Sequence, residues 1–294
     1  MAENKKKRQS RLKRSRTPQG LQLQKRDKSI ITAVYQHRYL TRSQIQRLFR
    51  MKCVTRINIR LRKLFDHNFL DRHFRPTVTG SSQAVYFLGK NGISIVTNTL
   101  KIDDKKIWRR RRSDLAVKDI SLDHNLQVNN FRINLARSIE NNHRFELVKW
   151  LDARDCEYKS DPLQRGKRII TSLRPDGYFE LLYQKEKYAF FVEIDLSTSN
   201  YAKLRSKFER YIVFAKKQLY KKKYKRELFY VLVATNSKSR AEKLHRLAGK
   251  LKPEMFWFAT LQEIEHDILF GPIWRRSGHT IIRPLFRRPK VRAI

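Results

Sequence analysis

Between Arg174 and Asp195 the chain restricts its own fold most tightly. Arg174-Pro175-Asp176-Gly177-Tyr178 leads into an apolar run ending in Phe191-Val192-Glu193-Ile194-Asp195. Pro and Gly punctuate the start of the run, which reads as two adjacent strands delivering carboxylates to one place. Strand side chains alternate, so Glu193 and Asp195 point to one face with Cα atoms about 7 Å apart. Asp176, at the start of the preceding strand, is a third candidate. Carboxylate oxygens suit Mg²⁺ or Mn²⁺ better than Zn²⁺, and Mg²⁺ sits on one or two carboxylates plus substrate phosphates. The expected metal ligands are Asp176, Glu193 and Asp195, and the expected chemistry is on nucleic acid. The plainer reading is exposed acids at chance spacing. Phe190, Phe191 and Val192 beside them weigh against it, because burying an uncompensated charge is costly.

Lys and Arg outnumber Asp and Glu by 67 to 27, a formal charge of +40 over 294 residues. Solubility needs far less, and the excess implies a polyanionic partner. The cations spread over every segment instead of forming one juxtamembrane cluster, which favours nucleic acid over an anionic membrane. The length suits two domains, since single ones cluster near roughly 100–150 residues. The two cysteines, Cys53 and Cys156, make neither a zinc pattern nor a disulfide framework, and a reducing compartment follows. No apolar run reaches the ~18 residues of a membrane span, and no apolar core follows the basic N-terminus. A soluble, cytoplasmic protein is expected.

Residues 1–26, with Lys5-Lys6-Lys7-Arg8 and Arg11-Leu12-Lys13-Arg14-Ser15-Arg16, read as a disordered basic arm. From Asp27 the apolar residues fall at helical spacing. Thr41 and Gln44 form a capping box that opens a second helix, and a third buries Ile57, Leu61, Leu64 and Phe65. A hairpin follows, Leu70–Phe74 and Ala84–Leu88 joined across Thr79-Gly80-Ser81-Ser82, and Gly89-Lys90-Asn91-Gly92 turns into a closing helix. This is the order of a winged helix-turn-helix, placed at 27–100. The third helix carries Lys52, Thr55, Arg56, Ile59, Arg62 and Lys63 opposite its apolar stripe. That face suits a major groove, with Arg56 and Arg62 on guanine or phosphate and Ile59 on a thymine methyl. A solvated or protein-docking face is the alternative.

Residues 101–119 read as a basic linker. In Trp108-Arg109-Arg110-Arg111-Arg112, Arg109 and Arg110 either follow DNA phosphates or are simply solvated. From 120 to 270 the pattern gives a helix over 121–140 and strands near 145–151, 174–183 and 188–196. A helix over 201–217, a strand at 228–234, a helix over 238–251 and a strand at 255–258 follow. Residues 271–294 read as an irregular basic tail with Pro284 and Pro289. The fold class is α+β, with the second domain built on a mixed central sheet.

The order of helix, three strands, helix and strand, with Pro175-Asp176 and the Glu193/Asp195 pair, resembles the PD-(D/E)XK core of restriction-endonuclease-like enzymes. Behind a winged helix, the segments Tyr39-Leu40-Thr41, Asp123-His124-Asn125-Leu126-Gln127-Val128-Asn129, Arg174–Gly177 and Phe191–Asp195 resemble the replication-relaxation family of plasmids and other mobile elements. The same domain pair is similar to MobC-type conjugative relaxases. The resemblance implies metal-assisted phosphodiester cleavage by Asp176 and Glu193, with Asp195 positioning metal or water. In the nuclease family a Lys stands two residues after the third-strand acid, where this chain has Asp195. Lys203 and Lys207, one turn apart on the next helix, are candidates to replace it, or they coat an exposed face. Asp123 and His124 are candidates for a distant ligand or a water-orienting base, although a His near a helix start is commonly a structural hydrogen-bonder.

No two of the eight His have the spacing that HUH-type relaxases need, and no phosphate-cradling Gly loop occurs. Tyr178 and Tyr201 are the nearest candidates for a covalent nucleophile. The expected function is a metal-dependent, site-specific nickase or relaxase acting on an origin-like duplex, with other replication or transfer proteins as possible partners. The alternative is a non-enzymatic replication factor or transcriptional regulator on a vestigial nuclease fold. RNA binding ranks third, because the aromatics sit inside apolar periodicities, which argues against a single-strand stacking platform.

Overall fold

The structure, a computed structural model, describes residues 10–75, 82–159, 172–197, 199–251 and 254–288. The expected turn residues Thr79–Ser81, the Lys5–Arg8 run and Pro289 lie outside them. The chain divides into two units, 1–129 and 130–294.

The first unit opens with α1 (Lys25–Gln36), β1 (Tyr39–Thr41), α2 (Arg42–Leu48) and α3 (Val54–Asp66). The Thr41–Gln44 capping box starts α2 as expected. Cys53 is the exposed N-cap of α3, whose buried stripe is Ile57, Leu61, Leu64 and Phe65. Strands β2 (Leu70–His73) and β3 (Val85–Leu88) form the hairpin, and β1 pairs with β3 to make an antiparallel sheet of order β1-β3-β2. The helix is followed by Asn68 at φ 59°, and a Cβ on Gly89 would collide with the Asn68 carbonyl. Only glycine therefore lets the end of β3 pass so close to the end of α3.

Beyond β3 come α4 (Gly92–Leu100), α5 (Asp104–Leu115) and α6 (Asp119–Glu140). The expected 101–119 linker is largely helix α5, capped by Asp103, whose carboxylate accepts from Lys105 N at 2.7 Å. Its charge run is held down by specific partners. Arg111 donates to Leu88 O at 2.8 Å and pairs with Asp71, and Arg38 reaches the buried Asp114 at 2.7 Å. The division between units falls at Asn129, inside α6, not in a linker.

The described part of the expected disordered arm is also tied down. Arg14 pairs with Asp71 and lies over the Phe65 ring at 4.1 Å. Ser15 N donates to Asp66 at 2.9 Å, and His67 bonds Gln19 O at 2.8 Å. These contacts satisfy both arm carbonyls and acids at the end of α3, and so offset the entropy of ordering the segment.

The second unit is a seven-stranded sheet of order β10-β9-β8-β7-β6-β5-β4 among the described residues. β4 (Phe145–Asp152), β5 (Gly177–Tyr183) and β6 (Glu186–Asp195) are antiparallel, with α7 (Ala153–Cys156) between the first two. β6 runs parallel to β7 (Tyr230–Thr235) across α8 (Tyr201–Lys216) and α9 (Leu219–Tyr224), and β7 runs parallel to β8 (Phe256–Thr260) across α10 (Lys238–Lys250). The residues Ala189 to Asp195 of β6 are buried throughout, as a central strand covered on both faces requires. Phe208, Tyr211 and Phe214 of α8 and Leu244 and Ala248 of α10 share a core with Phe191, Val231, Val233, Phe256 and Phe258. On the other face, Phe131 of α6 lies 6.1 Å from Phe179, and Phe179 stacks on Phe190 at 4.9 Å.

The tail expected to be irregular contributes structure. After α11 (Leu261–Ile264), β9 (Trp274–Arg276) and β10 (Ile282–Arg283) extend the sheet, Trp274 is fully buried, and Phe286 packs edge-on to Phe145 at 4.9 Å.

Candidate functional site

The site is built where β5 begins beside the end of β6. Gly177 opposes Val192, so Asp176 is the next position along and faces Glu193. Asp176 N donates to Val192 O at 3.0 Å, and its carboxylate accepts from Ile194 N at 2.8 Å. Two backbone-anchored bonds thus hold the Asp176 carboxylate beside the strand that carries Glu193.

Glu193 is 6% exposed. Lys207 donates to one of its oxygens and Tyr211 OH to the other at 2.5 Å. The two donors are four residues apart on α8 and so share one side of the helix, which Phe208, Tyr211 and Phe214 press onto the sheet. Burial pushes the Glu193 carboxyl up to about 7, with Lys207 pulling it back and Asp176 adding to the rise. Burial works against the Lys207 ammonium, yet Glu193 and Asp176 together hold it above its ordinary value. Burial also raises the Tyr211 phenol, which remains a donor.

Cys156 on α7 faces the same cluster and donates to Pro175 O at 3.6 Å. Burial first, and then Glu193, push its thiol well up, so it is not a thiolate nucleophile. Tyr178 is fully buried with its OH on Glu180 at 2.7 Å, which excludes it as an accessible nucleophile.

Asp195 has a different set of partners from those expected of a metal ligand. Arg240 Nε lies 2.7 Å from one oxygen and Nη2 3.4 Å from the other, and Ser197 N donates to the carboxylate at 3.2 Å. Arg240 also donates to Ser199 O at 2.6 Å and lies over the Tyr201 ring at 4.3 Å. The Asp195 hydrogen bond, outweighing burial, raises the Arg240 guanidinium. Asp195 therefore fastens the turn leaving β6 to the start of α10. Among the described residues no group of three His, Cys, Asp or Glu is placed to hold a metal. The expected trio reduces to Asp176 and Glu193, a pair whose chemistry still suits a hard cation that keeps most of its ligands as water and phosphate.

Of the two lysine candidates, Lys207 reaches the site. Lys203 is exposed, and its backbone N donates to the Asn200 cap at the start of α8. His124 belongs to the first unit, beside Asp123, which pairs with Arg75. Lys207, Tyr211 and Asp176, the groups acting on Glu193, all come from the second, as does Cys156.

On α3 the sequence-predicted face is partly as expected. Lys52, Thr55, Arg56 and Ile59 are exposed, Ile59 at 54%. Lys63 is half-buried, and Arg62 is engaged by Asp66 at 2.7 Å and by the Lys13 carbonyl at 3.1 Å. Arg109 is exposed on α5, whereas Arg110 lies over Tyr35 at 4.9 Å, turned onto its own unit. Sequence reasoning missed Tyr211 and Arg240. The spacing of Lys207 and Tyr211 was the available signal for the first, and none pointed to the second.

The sequence profile of the replication-relaxation family matches residues 31–228 of the 294. The chain belongs to the replication-relaxation family. Among solved structures, this replication-relaxation protein matches the restriction endonuclease FokI at 12% identity and a TM-score of 0.26, over 81% of this chain and 43% of that one. The chain thus spans less than half of that enzyme's length. No curated protein matches it. Among the described residues no helix is long and apolar enough to cross a membrane.

Proposed function

We propose that this protein binds an origin-like DNA duplex through its first unit and nicks a strand with its second, in plasmid replication or transfer. Membership of the replication-relaxation family supports a role in plasmid replication or mobility. The first unit, read as a winged helix-turn-helix, would set Lys52, Thr55, Arg56 and Ile59 of α3 in the major groove, with Arg109 on the backbone. The second unit is read as a variant PD-(D/E)XK domain. The observation that carries this reading is Lys207 on Glu193, which brings a cation from α8 to a site whose usual motif lysine is replaced by Asp195.

Asp176 and Glu193 are the pair that would hold Mg²⁺ or Mn²⁺, whose contribution is to polarise the scissile phosphate and supply a strong nucleophile near neutral pH. The Ile194 amide fixes the Asp176 carboxylate, and Tyr211 fixes that of Glu193. The Lys207 ammonium supplies positive charge against the negative charge that develops on the phosphate. Asp195, locked to Arg240, keeps the β6 end rigid and takes no part in the chemistry. Such a protein would work in the cytoplasm on plasmid or nucleoid DNA.

A second reading, a non-enzymatic replication factor or regulator, draws on one observation: Lys207 and Tyr211 already occupy both Glu193 oxygens. The two separate on supercoiled plasmid carrying the native flanking DNA, with Mg²⁺, Mn²⁺ or EDTA, beside Glu193→Ala and Lys207→Met. Open circles that require metal, Glu193 and Lys207 support the nickase. Intact supercoils despite salt-sensitive duplex binding support the second reading.

A further inference from the structure

The sheet of the second unit carries a second concave site on the face opposite Glu193. Phe190 pairs with Tyr230, and Val192 aligns through Leu232 with Trp257, so these residues share the face that Phe191 and Glu193 do not. Tyr188, Phe190, Tyr230 and Trp257 line a cavity of about 360 Å³, together with Tyr183 and Phe286 of the tail. Phe286 is itself fixed, edge-on to Tyr188 at 5.0 Å and to Tyr183 at 5.1 Å. Arg287 and Arg288 also border the cavity.

Three features decide what such a cavity takes. Its walls are the rings of half-buried Tyr188, Tyr230 and Trp257, which suit a flat partner. The Trp257 ring stands at 85° to that of Tyr230, with centroids 6.2 Å apart, so a flat group stacked on one ring meets the edge of the other. The border carries the cation of Arg287, while Arg288 is paired with Asp267 at 3.2 Å, in a chain of net charge +40. A planar ring that carries a phosphate meets all three conditions. An aliphatic chain is not flat and meets neither of the first two.

We propose that this cavity captures one unstacked base of single-stranded DNA, stacked on Tyr230 with the perpendicular Trp257 ring at its edge and a flanking phosphate at Arg287. The proposal rests on DNA as the partner but not on the nicking site, which lies on the other face of the sheet. Stacking of this kind tolerates any base, because every base has a π-face. A sequence in which aromatics fall inside apolar periodicities hides such a platform: Phe190 is core while its strand neighbour Tyr188 is only half-buried.

The test uses the full chain and three fluorescent probes: a twelve-nucleotide oligo-dT, an abasic strand of equal length and the native-flank duplex. The wild type is expected to bind oligo-dT about tenfold more tightly than the abasic strand. Trp257→Ala should erase that difference and leave duplex binding unchanged. Tyr230→Leu, which keeps apolar bulk in the sheet, should shrink it as well, so the result does not hang on one variant that fails to fold. Equal binding of oligo-dT and abasic strand by the wild type would overturn the proposal. So would a preference that survives both substitutions, or one that emerges only after removal of residues 289–294, which would assign the cavity to the chain's own end. Retained duplex binding in those cases leaves the DNA reading standing, whereas failure to bind all three probes would remove both.

Discussion

Lys207 and Glu193, fourteen residues apart, form an ion pair at the end of β6, and Tyr211 closes the other side of Glu193 at 2.5 Å. The pair couples the site's chemistry to pH. Glu193 is pushed up from 4.5 to about 7, so between those values the folded chain holds a proton that the unfolded chain has lost. Stability from this group is fully present below about pH 4.5 and is lost as pH rises through about 7, by roughly 2–4 kcal/mol. Lys207, held above its ordinary value, stays charged throughout that window. Thermal melts across this range should fall with rising pH for the wild type and flatten for Glu193→Gln. Parallel curves for the two proteins would refute the shift.

Removing Arg240 should hurt more than removing its partner's charge. Arg240→Ala leaves Asp195, 5% exposed, as a buried carboxylate without its counter-ion, a loss of roughly 3–5 kcal/mol. Asp195→Asn in the same chain should recover most of that loss in urea unfolding. If Asp195→Asn alone abolished a metal-dependent activity that Arg240→Ala kept, Asp195 would have to be returned to the metal.

The arm should behave as part of the first unit. Deleting residues 1–19 removes one partner each from Asp71 and Asp66 and the carbonyl contacts of Arg62, leaving the Arg111–Asp71 and Arg62–Asp66 pairs. These contacts are partly exposed, so the loss should be about 1–2 kcal/mol, measurable by denaturant titration against the full chain. An unchanged midpoint would show that the segment is not seated.

Neighbouring arginines should divide by role. Arg56→Ala should relax sequence preference at a loss of roughly 1–3 kcal/mol if it makes a bidentate base contact. Arg109→Ala should lower affinity evenly and reduce the salt slope by about one. Arg110→Ala, which uncovers Tyr35, should lower the melting temperature first. Duplex titrations at several salt concentrations, with melts alongside, separate the three.

Local patterns made much of this legible. The strands around Tyr178 and Phe191, the stripe of α8 and the capping box at Thr41 are each written within a few neighbouring residues, and the structure places them within a few residues of where the sequence does. What escaped depends on distant partners. Helix α5 looked like a linker because its only buried apolar residue is Ile107, while Arg111 pairs with Asp71 and Arg110 lies over Tyr35, both far off in sequence. The arm is held largely through backbone carbonyls, which no residue letter encodes. Asp195 looked like a ligand because Arg240, 45 residues on, is invisible from the strand. Lys207 was legible as a candidate because it recurs one turn from Lys203, but only the packing of α8 chooses between them.

The two cysteines, unremarkable in the sequence, differ sharply in place. Cys53 is exposed at the start of α3, and Cys156 is buried with its thiol pushed up. A maleimide dye added to the native chain near neutral pH should therefore tag one position without any engineered substitution, at the N-terminus of the helix that carries Arg56. The molecule arrives with its own reporter for whatever approaches that helix.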